Sequence, residues 1–382
     1  MPIQCTNCRQ PYPHQGLPYK CPSCGGLFDY AAPLAYDPGL VDPRQPGIWR
    51  YRHSFGLPGD IDPVSLGEGN TPLVWAEAFG LPVAFKCEYL NPSGSFKDRG
   101  SAVIAGVLRW RGVSHAVEDS SGNAGASFAA YAARTGVRAR IYAPDSASGP
   151  KRYQIEAYGA ELVRIMGPRS NAAKAVLRAV DAPVESGEPA PAYASHAYLP
   201  FNLPGYATLA YELVDQMGGA PGSLVLPVGQ GGLLLGVGRG FQALRAAGVI
   251  DRLPVLVGVQ ARACAPLWAL YTYGPAGLGW AAEAPTLAEG IRVLQPLRGD
   301  AVLNAIAAHE GTLVVVDEEE IIPGREQLAR RGLFVEPTSA VVWGALAQLV
   351  GKVPEPIAVV LTGSGLKAPT QTPPIPSELR KF

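Results

Sequence analysis

The stretch SHAVEDSSGNAGASFAAYAARTGVRARIYA, residues 114–143, sets out the folding pattern of the chain. Residues 114–118 are predicted to form a strand, and residues 124–134 are an alanine-rich run of helical length. Gly136 ends that run before a second predicted strand over residues 138–143. A strand, a helix and a second strand in this order form a unit whose two strands lie parallel. This part of the chain therefore predicts an α/β protein.

The same alternation continues on both sides of this stretch. The sequence predicts strands over residues 81–87, 161–166, 224–228, 255–259, 312–316 and 357–361. It predicts helices over residues 97–111, 151–158, 171–180, 233–247, 318–331 and 339–350. Ligands of such sheets bind in the loops that follow the carboxyl ends of the strands, so the functional residues are expected there.

Composition limits the classes of protein to which this chain can belong. The 382 residues are 47% apolar and 17% charged, and 32 basic side chains balance 32 acidic ones. Because no net positive field attracts nucleic acid or an anionic membrane surface, neither is expected as a partner. The N-terminal sequence MPIQCTNCRQ lacks the apolar segment of a secretion signal, and no segment reads as a membrane span. We expect a cytoplasmic protein.

Four of the six cysteines form two Cys-x-x-Cys pairs. The first pair is Cys5 and Cys8, and the second is Cys21 and Cys24. Their spacing is typical of a zinc ribbon, in which four thiolates hold a structural Zn²⁺ at tetrahedral geometry. Two disulfides are the alternative, which a reducing compartment disfavours. The sequence therefore predicts a zinc ribbon over residues 1–30 that has no direct part in catalysis.

The segment NPSGSFKDRG, residues 91–100, places a lysine at the start of a predicted helix. The positive end of a helix dipole favours the neutral form of an amine, which is the form that attacks a carbonyl to give an imine. Lys97 is therefore the candidate nucleophile. An ordinary surface lysine is the alternative.

Three further loops follow predicted strands and are rich in small residues. Ser120–Asn123 opens a helix, where main-chain N–H groups bind an anion such as a carboxylate. Gly229–Gly232 lies between a strand and a helix, a position that suits a phosphate. Thr362–Gly365 follows the last strand and supplies a hydroxyl. The alternatives are a plain helix cap, a dinucleotide loop (disfavoured because Leu234 replaces its third glycine) and a structural turn.

These motifs occur together, in this order, in one known group of enzymes. NPSGSFKDRG, SSGNAG from Ser120, GQGG from Gly229 and LTGSGLK from Leu361 resemble the motifs of fold-type II pyridoxal-phosphate enzymes, and specifically of the threonine synthase family. Three further segments and the N-terminal ribbon agree with this resemblance: GNTPL at residues 69–73, YGAELV at residues 158–163 and EPTSA at residues 336–340.

The resemblance implies an architecture and an activity. The fold would be the tryptophan synthase β-like arrangement of two mainly parallel α/β domains behind the ribbon. Residues 31–100 and 201–382 would form the large cofactor domain, and residues 101–200 the small domain. The enzyme would be a homodimeric lyase that converts O-phosphohomoserine and water to threonine and phosphate, by γ-elimination followed by β-addition.

The resemblance also implies roles for individual residues. Lys97 would hold pyridoxal phosphate covalently and shuttle protons, Asn123 would bond its 3′ oxygen, and Thr362 would face its ring nitrogen. The residues that would cradle the cofactor phosphate are Gly229, Gln230, Gly231, Gly232 and Leu233. Those that would bind the α-carboxylate of the substrate are Ser120, Ser121 and Ala124. For the substrate phosphate, the candidates are Lys151 and Arg152.

Two motifs depart from the family pattern. Threonine synthases usually have GNAGN in the phosphate loop, whereas this chain has GQGGL, closer to serine/threonine dehydratases. They usually have TGHGLK, whereas this chain has Ser364 in place of the histidine. The alternative enzymes are therefore a serine/threonine ammonia-lyase or a β-replacement enzyme acting on a phosphorylated serine. A non-catalytic zinc-ribbon protein that binds nucleic acid or acts as a scaffold is a third alternative, which the intact Lys97 motif disfavours.

Overall fold

A computed structural model of the chain describes residues 1–120, 122–145, 149–167, 169–182 and 190–368. The strands are β1 (Ile3–Cys5), β2 (Phe28–Tyr30), β3 (Leu73–Ala78), β4 (Leu81–Lys86), β5 (His115–Glu118), β6 (Arg138–Pro144), β7 (Glu161–Ile165), β8 (Ala192–Tyr193), β9 (Ser223–Pro227), β10 (Val255–Ala261), β11 (Thr312–Val316) and β12 (Ile357–Val360). The helices are α1 (Lys97–Trp110), α2 (Asn123–Thr135), α3 (Gly149–Ala157), α4 (Arg169–Asp181), α5 (Asn202–Met217), α6 (Gly232–Ala246), α7 (Pro266–Tyr273), α8 (Gly299–Ala308), α9 (Glu318–Ala329) and α10 (Pro337–Leu349).

The strands form two larger sheets and one short two-stranded sheet. The six-stranded sheet has the order β11-β10-β9-β12-β4-β3, and all its neighbours pair in parallel except β3 with β4. The four-stranded sheet has the order β7-β6-β5-β8 and is parallel throughout. The antiparallel pair β1-β2 belongs to the N-terminal segment. The predicted α/β fold with mainly parallel sheets is confirmed.

Strand β9 shows why the large sheet is covered on both faces. Successive side chains of a strand point to opposite faces. Leu224 and Leu226 pack into one buried apolar cluster, and Val225 between them packs into a second cluster with Val341 and Leu346 of α10. Because both faces are apolar, helices must cover both, which is typical of parallel sheets.

Helix α5 is the longest element that the sequence did not predict. Pro204 and Gly205 in its first turn read as helix breakers, yet proline is tolerated there because first-turn N–H groups lack intrahelical partners. Gly205 lets the helix approach α1 closely, since a Cβ at that position would lie 2.1 Å from the carbonyl oxygen of Arg99. Helix α5 therefore fits tightly against the helix that begins at Lys97.

The loops that follow four strands meet between the two larger sheets. These strands are β4, β5, β9 and β12, and each ends just before one of the motifs identified in the sequence. Two isolated bridges, Ser95 with Gly363 and Val335 with Ser364, tie two of these loops together and to the segment before α10. None of the helices in the described ranges is long and apolar enough to cross a membrane.

Candidate active site

A cleft of about 760 Å³ lies where these loops meet. Its lining includes Lys97, Asn123, Thr362 and the whole loop Gly229–Leu233. The structure therefore brings together, in one cavity, residues of four motifs that lie up to 265 positions apart.

Lys97 occupies the first position of α1, as the sequence predicts. Its Nζ lies 4.8 Å from the ring centre of Phe96 and 5.9 Å from that of Tyr206. Aromatic faces at these distances attract an ammonium group and limit its contact with water. The amine is thus held at the cleft wall by rings from α5 and from the residue before α1.

A buried group of charges lies behind Lys97. The Arg99 guanidinium bonds both oxygens of Glu88, at 2.8 and 2.7 Å, and both oxygens of Glu212, at 2.8 and 2.7 Å. Lys86 Nζ lies 2.8 Å from Glu212 and also donates to the carbonyl of Thr71. Burial alone would raise the pKa of Glu212, but Arg99 and Lys86 hold it below its ordinary value. This cluster joins β4, α1 and α5 into a rigid base for the cleft.

The loop Gly229–Leu233 is shaped by its neighbours. Gly231 has a φ of +82°, and a Cβ there would lie 2.2 Å from Val302 Cγ2, so glycine is required. Helix α6 begins directly after it, with main-chain N–H groups that have no intrahelical acceptor. Gln230, one of the departures from the family pattern, accepts a hydrogen bond from the N–H of Leu297 at 3.0 Å. Its side chain therefore anchors the loop.

Among the buried polar atoms of cleft residues that have no hydrogen-bond partner in the described part of the chain, two belong to residues predicted to bind the cofactor. They are Thr362 Oγ1 and Asn123 Oδ1. A buried polar atom without a partner costs free energy, so such atoms mark positions where a ligand supplies the missing bond. The main chain of Thr362 is fixed on both sides, since its N–H donates to Ser339 Oγ and its carbonyl accepts from the N–H of Phe96.

Glu336, the first residue of the EPTSA segment, lines the cleft although the sequence alone assigned it no role. Its Oε1 accepts a hydrogen bond of 2.6 Å from Asn123 Nδ2, and its Oε2 lies 2.9 Å from Lys151 Nζ. Burial alone would lower the pKa of Lys151, but the Glu336 carboxylate raises it above its ordinary value. A Cβ at residue 363 would lie 2.2 Å from Glu336 Oε1, so the glycine of the TGSG motif makes room for this carboxylate. The glycine at position 363 is therefore the feature of the sequence that could have indicated a bulky neighbouring group such as Glu336.

The predicted substrate residues are not all at the cleft. Ser120 and Ala124 line it, as does Lys151. Arg152 does not; its Nη1 donates to the carbonyl of Asp145 at 3.2 Å, at the protein surface. Ser121 lies outside the described residues.

An arginine and a histidine to which the sequence assigned no role also line the cleft. Arg292 Nη2 donates to the carbonyl of Glu283 at 3.0 Å. His196 follows β8 and is buried. Neither belongs to a recognisable motif, so only the fold could bring them to the site.

The four ribbon cysteines form a compact cluster. Cys5 Sγ lies 3.5 Å from Cys24 Sγ, Cys8 Sγ lies 3.6 Å from Cys21 Sγ, and all four sulfurs fall within 4.8 Å of one another. Tetrahedral Zn²⁺ with Zn–S bonds of about 2.3 Å needs sulfurs roughly 3.8 Å apart. The thiols are free, and their arrangement fits that geometry.

The ribbon packs against the wall of the cleft. Tyr19 makes edge contacts with the rings of Tyr193 and Tyr198, at 5.3 and 5.2 Å, and both of these line the cavity. Asp29 of the ribbon is paired with Arg239 and Arg298. The segment predicted to stand apart from catalysis thus supports one side of the cleft.

Known proteins resemble this chain along most of its length. The model of the family described as pyridoxal-phosphate dependent enzyme matches residues 64–363. The threonine synthase of Methanocaldococcus jannaschii is 31% identical, over 96% of this chain and 93% of that protein. The threonine synthase of Mycobacterium leprae is 35% identical, over 84% of this chain and 88% of that protein.

A solved structure shares the fold. The structure of maize serine racemase superposes with a TM-score of 0.64 at 21% sequence identity, covering 77% of this chain and 88% of that one. At this identity the similarity concerns the fold alone.

Proposed function

The chain belongs to the pyridoxal-phosphate dependent enzymes and, within them, to the threonine synthase family, and we propose that it converts O-phosphohomoserine and water to threonine and phosphate. The observation that carries the proposal is that the match to a threonine synthase extends over 96% of the chain. The ammonia-lyase and β-replacement alternatives have no comparable support.

The cleft residues fit pyridoxal phosphate. Thr362 Oγ1 and Asn123 Oδ1 are buried atoms that lack a partner among the described residues. The start of α6 offers main-chain N–H groups that suit a phosphate. When bound, the cofactor supplies an electron sink beside the α-carbon of the substrate. We assign Thr362 to its ring nitrogen, Asn123 to its 3′ oxygen, and Gly229–Leu233 to its phosphate.

Lys97 is the group that holds and moves protons. We propose that its Nζ carries the cofactor in the resting enzyme and removes the proton at the α-carbon of the substrate and then the proton at the β-carbon. After phosphate leaves, Lys97 returns one proton to the γ-carbon, which becomes the methyl group of threonine, and after water adds it returns one to the α-carbon. The aromatic faces of Phe96 and Tyr206 keep this amine near the reacting carbons and away from bulk water.

The substrate is oriented by two anion sites. The start of α2, with Ser120 and Ala124 at the cleft, suits the α-carboxylate because helix N-termini bind anions. For the substrate phosphate we favour Lys151, which lines the cleft, over Arg152, which does not. The pairing of Lys151 with Glu336 leaves two of the three ammonium hydrogens for other acceptors.

A direct assay tests the proposed reaction. Purified enzyme with pyridoxal phosphate is expected to release phosphate and threonine in equal amounts from O-phosphohomoserine, and little keto acid from serine or threonine. Keto acid from these hydroxyamino acids, without phosphate release, would instead favour the ammonia-lyase.

Thr362→Val should weaken cofactor binding. The change removes one hydroxyl and keeps the shape of the side chain, so we expect a loss on the order of 1 to 3 kcal/mol, or roughly 5- to 150-fold in Kd. Titration of apoenzyme with pyridoxal phosphate measures it. Ser364→Ala is the matched control, because the Ser364 hydroxyl bonds the N–H of Leu366 and does not line the cleft. If Ser364→Ala weakens cofactor binding more than Thr362→Val does, the assignment of the Thr362 hydroxyl to the ring nitrogen is wrong.

We also propose that Cys5, Cys8, Cys21 and Cys24 bind one Zn²⁺. The four sulfurs match the tetrahedral spacing, and a structural site needs no open coordination position. We propose a homodimer as well, by resemblance to threonine synthases. Light scattering on the eluting gel-filtration peak tests it, since a peak of monomer mass would contradict it.

Removal of the metal should unfold the ribbon first. Cys21→Ser is expected to lower bound zinc from one per chain to below about 0.2, and to add an early unfolding transition at low denaturant, because metal binding and ribbon folding are coupled. Cys87→Ser, at a buried cysteine outside the cluster, should leave the zinc content unchanged. Absence of zinc from parent protein purified without chelators, with thiols oxidised in pairs, would favour the disulfide alternative.

A further inference from the structure

His196 occupies an unusual position in the cleft. It is 7% exposed and lines the cavity that also contains Lys97. Its Nε2 lies 2.9 Å from Ser101 Oγ, and Ser101 is four residues after Lys97, one turn along the same face of α1. The imidazole therefore stands beside the amine. Burial lowers the pKa of His196, and the charge of Lys97 lowers it further, so the ring is neutral.

A line of hydrogen bonds runs from His196 into the core. Ser101 Oγ lies 2.6 Å from Ser127 Oγ, and the Ser127 hydroxyl donates to Asp98 Oδ1. The Ser93 hydroxyl and N–H also donate to Asp98. Burial raises the pKa of this carboxyl above its ordinary value, although the hydrogen bonds from Ser127 and Ser93 and the charge of Lys367 act in the opposite direction. A carboxylate that accepts three donors has no hydrogen of its own to give.

This line fixes which imidazole nitrogen carries the hydrogen. The single hydrogen of Ser127 goes to Asp98, so Ser101 must supply the hydrogen between the two hydroxyls. Ser101 Oγ then accepts from His196, which places the hydrogen on Nε2 and a lone pair on Nδ1. That Nδ1 is buried, has no hydrogen-bond partner among the described residues, and lies 3.6 Å from Glu118 Oε1.

We propose that His196 is a second catalytic base of the cleft, and that its Nδ1 takes the proton of the water that adds to the β-carbon. The inference rests on the proposed threonine synthase reaction. The water oxygen bonds to the β-carbon and keeps one hydrogen as the product hydroxyl, while the other goes to Nδ1. The electron pair of the Cα–Cβ double bond passes to the α-carbon, which takes up a proton from Lys97. Glu118 stabilises the imidazolium, which then gives its proton to the phosphate released in the first half of the reaction.

The ratio of threonine formed to phosphate released measures this role of His196. In His196→Gln the side-chain amide can still bond Ser101 but cannot take a proton. We expect phosphate release to fall less than about tenfold, while threonine per phosphate falls at least fivefold from about one. The balance should appear as 2-oxobutanoate and ammonium, because the unsaturated amino acid that leaves without hydration hydrolyses. His309→Gln is the control: it is the same replacement at a buried histidine outside the cleft, and it should keep the parental ratio.

The imidazole itself gives an independent readout. Nitrogen-15 spectra of selectively labelled apoprotein should show His196 as the neutral Nε2–H form, and Ser101→Ala should reduce that preference. A protonated Nδ1 in the parent, or an unchanged product ratio in His196→Gln, would overturn the proposal. If the parent releases no phosphate from O-phosphohomoserine, the proposed function fails instead, and the spectra still report the state of the ring.

Discussion

Lys97→Ala is expected to abolish covalent attachment of pyridoxal phosphate and to lower turnover by at least about a thousandfold, because we propose that this one amine both carries the cofactor and moves protons. Reduction with borohydride followed by peptide mass mapping measures the attachment. The parent should carry one pyridoxyl group on the peptide that contains Lys97, and the variant none. Lys352→Ala, at an exposed lysine, is the matched control and should keep both the label and the activity.

Two other lysines near the site make this test discriminating. Lys151 is paired with Glu336, and Lys367 donates to the carbonyl of Ser93 at 2.8 Å. Burial lowers the pKa of Lys367 to about 8, which makes it chemically competent as an amine nucleophile. It does not line the cleft, however. A label on the peptide of either lysine in the parent would show that the cofactor is held elsewhere and refute the assignment of Lys97.

Arg99→Met should have the largest effect on stability. Removal of the guanidinium leaves Glu88 without its cation and Glu212 with Lys86 alone, in a region from which water is excluded. Breaking a buried pair by removing one partner costs about 3 to 5 kcal/mol in free energy of unfolding. Arg99→Lys should recover less than about half of the free energy of unfolding that Arg99→Met loses, because one ammonium cannot make the paired bonds to two carboxylates.

Arg109→Met on the same helix is the control for this change. Arg109 is 54% exposed, and its partner Asp62, at 3.3 Å, is 73% exposed. Exposed pairs contribute about 0 to 1 kcal/mol, so this variant should unfold at nearly the parental urea midpoint. Equal losses in the two arginine variants would show that the buried cluster contributes no more than a surface pair.

The same cluster predicts how stability depends on pH. The pKa values of Glu88 and Glu212 are lowered in the folded protein: burial opposes the shift, and the Arg99 charge more than offsets it. Carboxyls of this kind contribute stability above their unfolded pKa, about 4.3, and that contribution is lost as pH falls through the folded value. The difference in free energy of unfolding between the parent and Arg99→Met should therefore be largest near neutral pH and shrink below about pH 4.

The amino-acid sequence by itself determined those features that depend on patterns of residues close together in the chain. Alternation of strand-like and helical segments predicted the parallel sheets, and Cys5, Cys8, Cys21 and Cys24 predicted a metal cluster by spacing alone. Lys97 and the three small-residue loops could be identified because ligands of parallel sheets bind after the carboxyl ends of strands. The comparisons with known proteins confirmed the family and the fold.

Only the tertiary structure decided which distant side chains meet at the cleft. Glu336 bonds Asn123 across 213 positions, and Arg99 bonds Glu212 across 113. Periodicity tells which face of an element is buried, but it carries no information about which other element covers that face. Arg152, next to Lys151 in the chain, points to a different environment because neighbouring helical residues lie about 100° apart. His196 follows a two-residue strand with no motif around it. Its place in the cleft comes from the pairing of β8 with β5 and from its contact with Ser101 of α1, which no local pattern encodes.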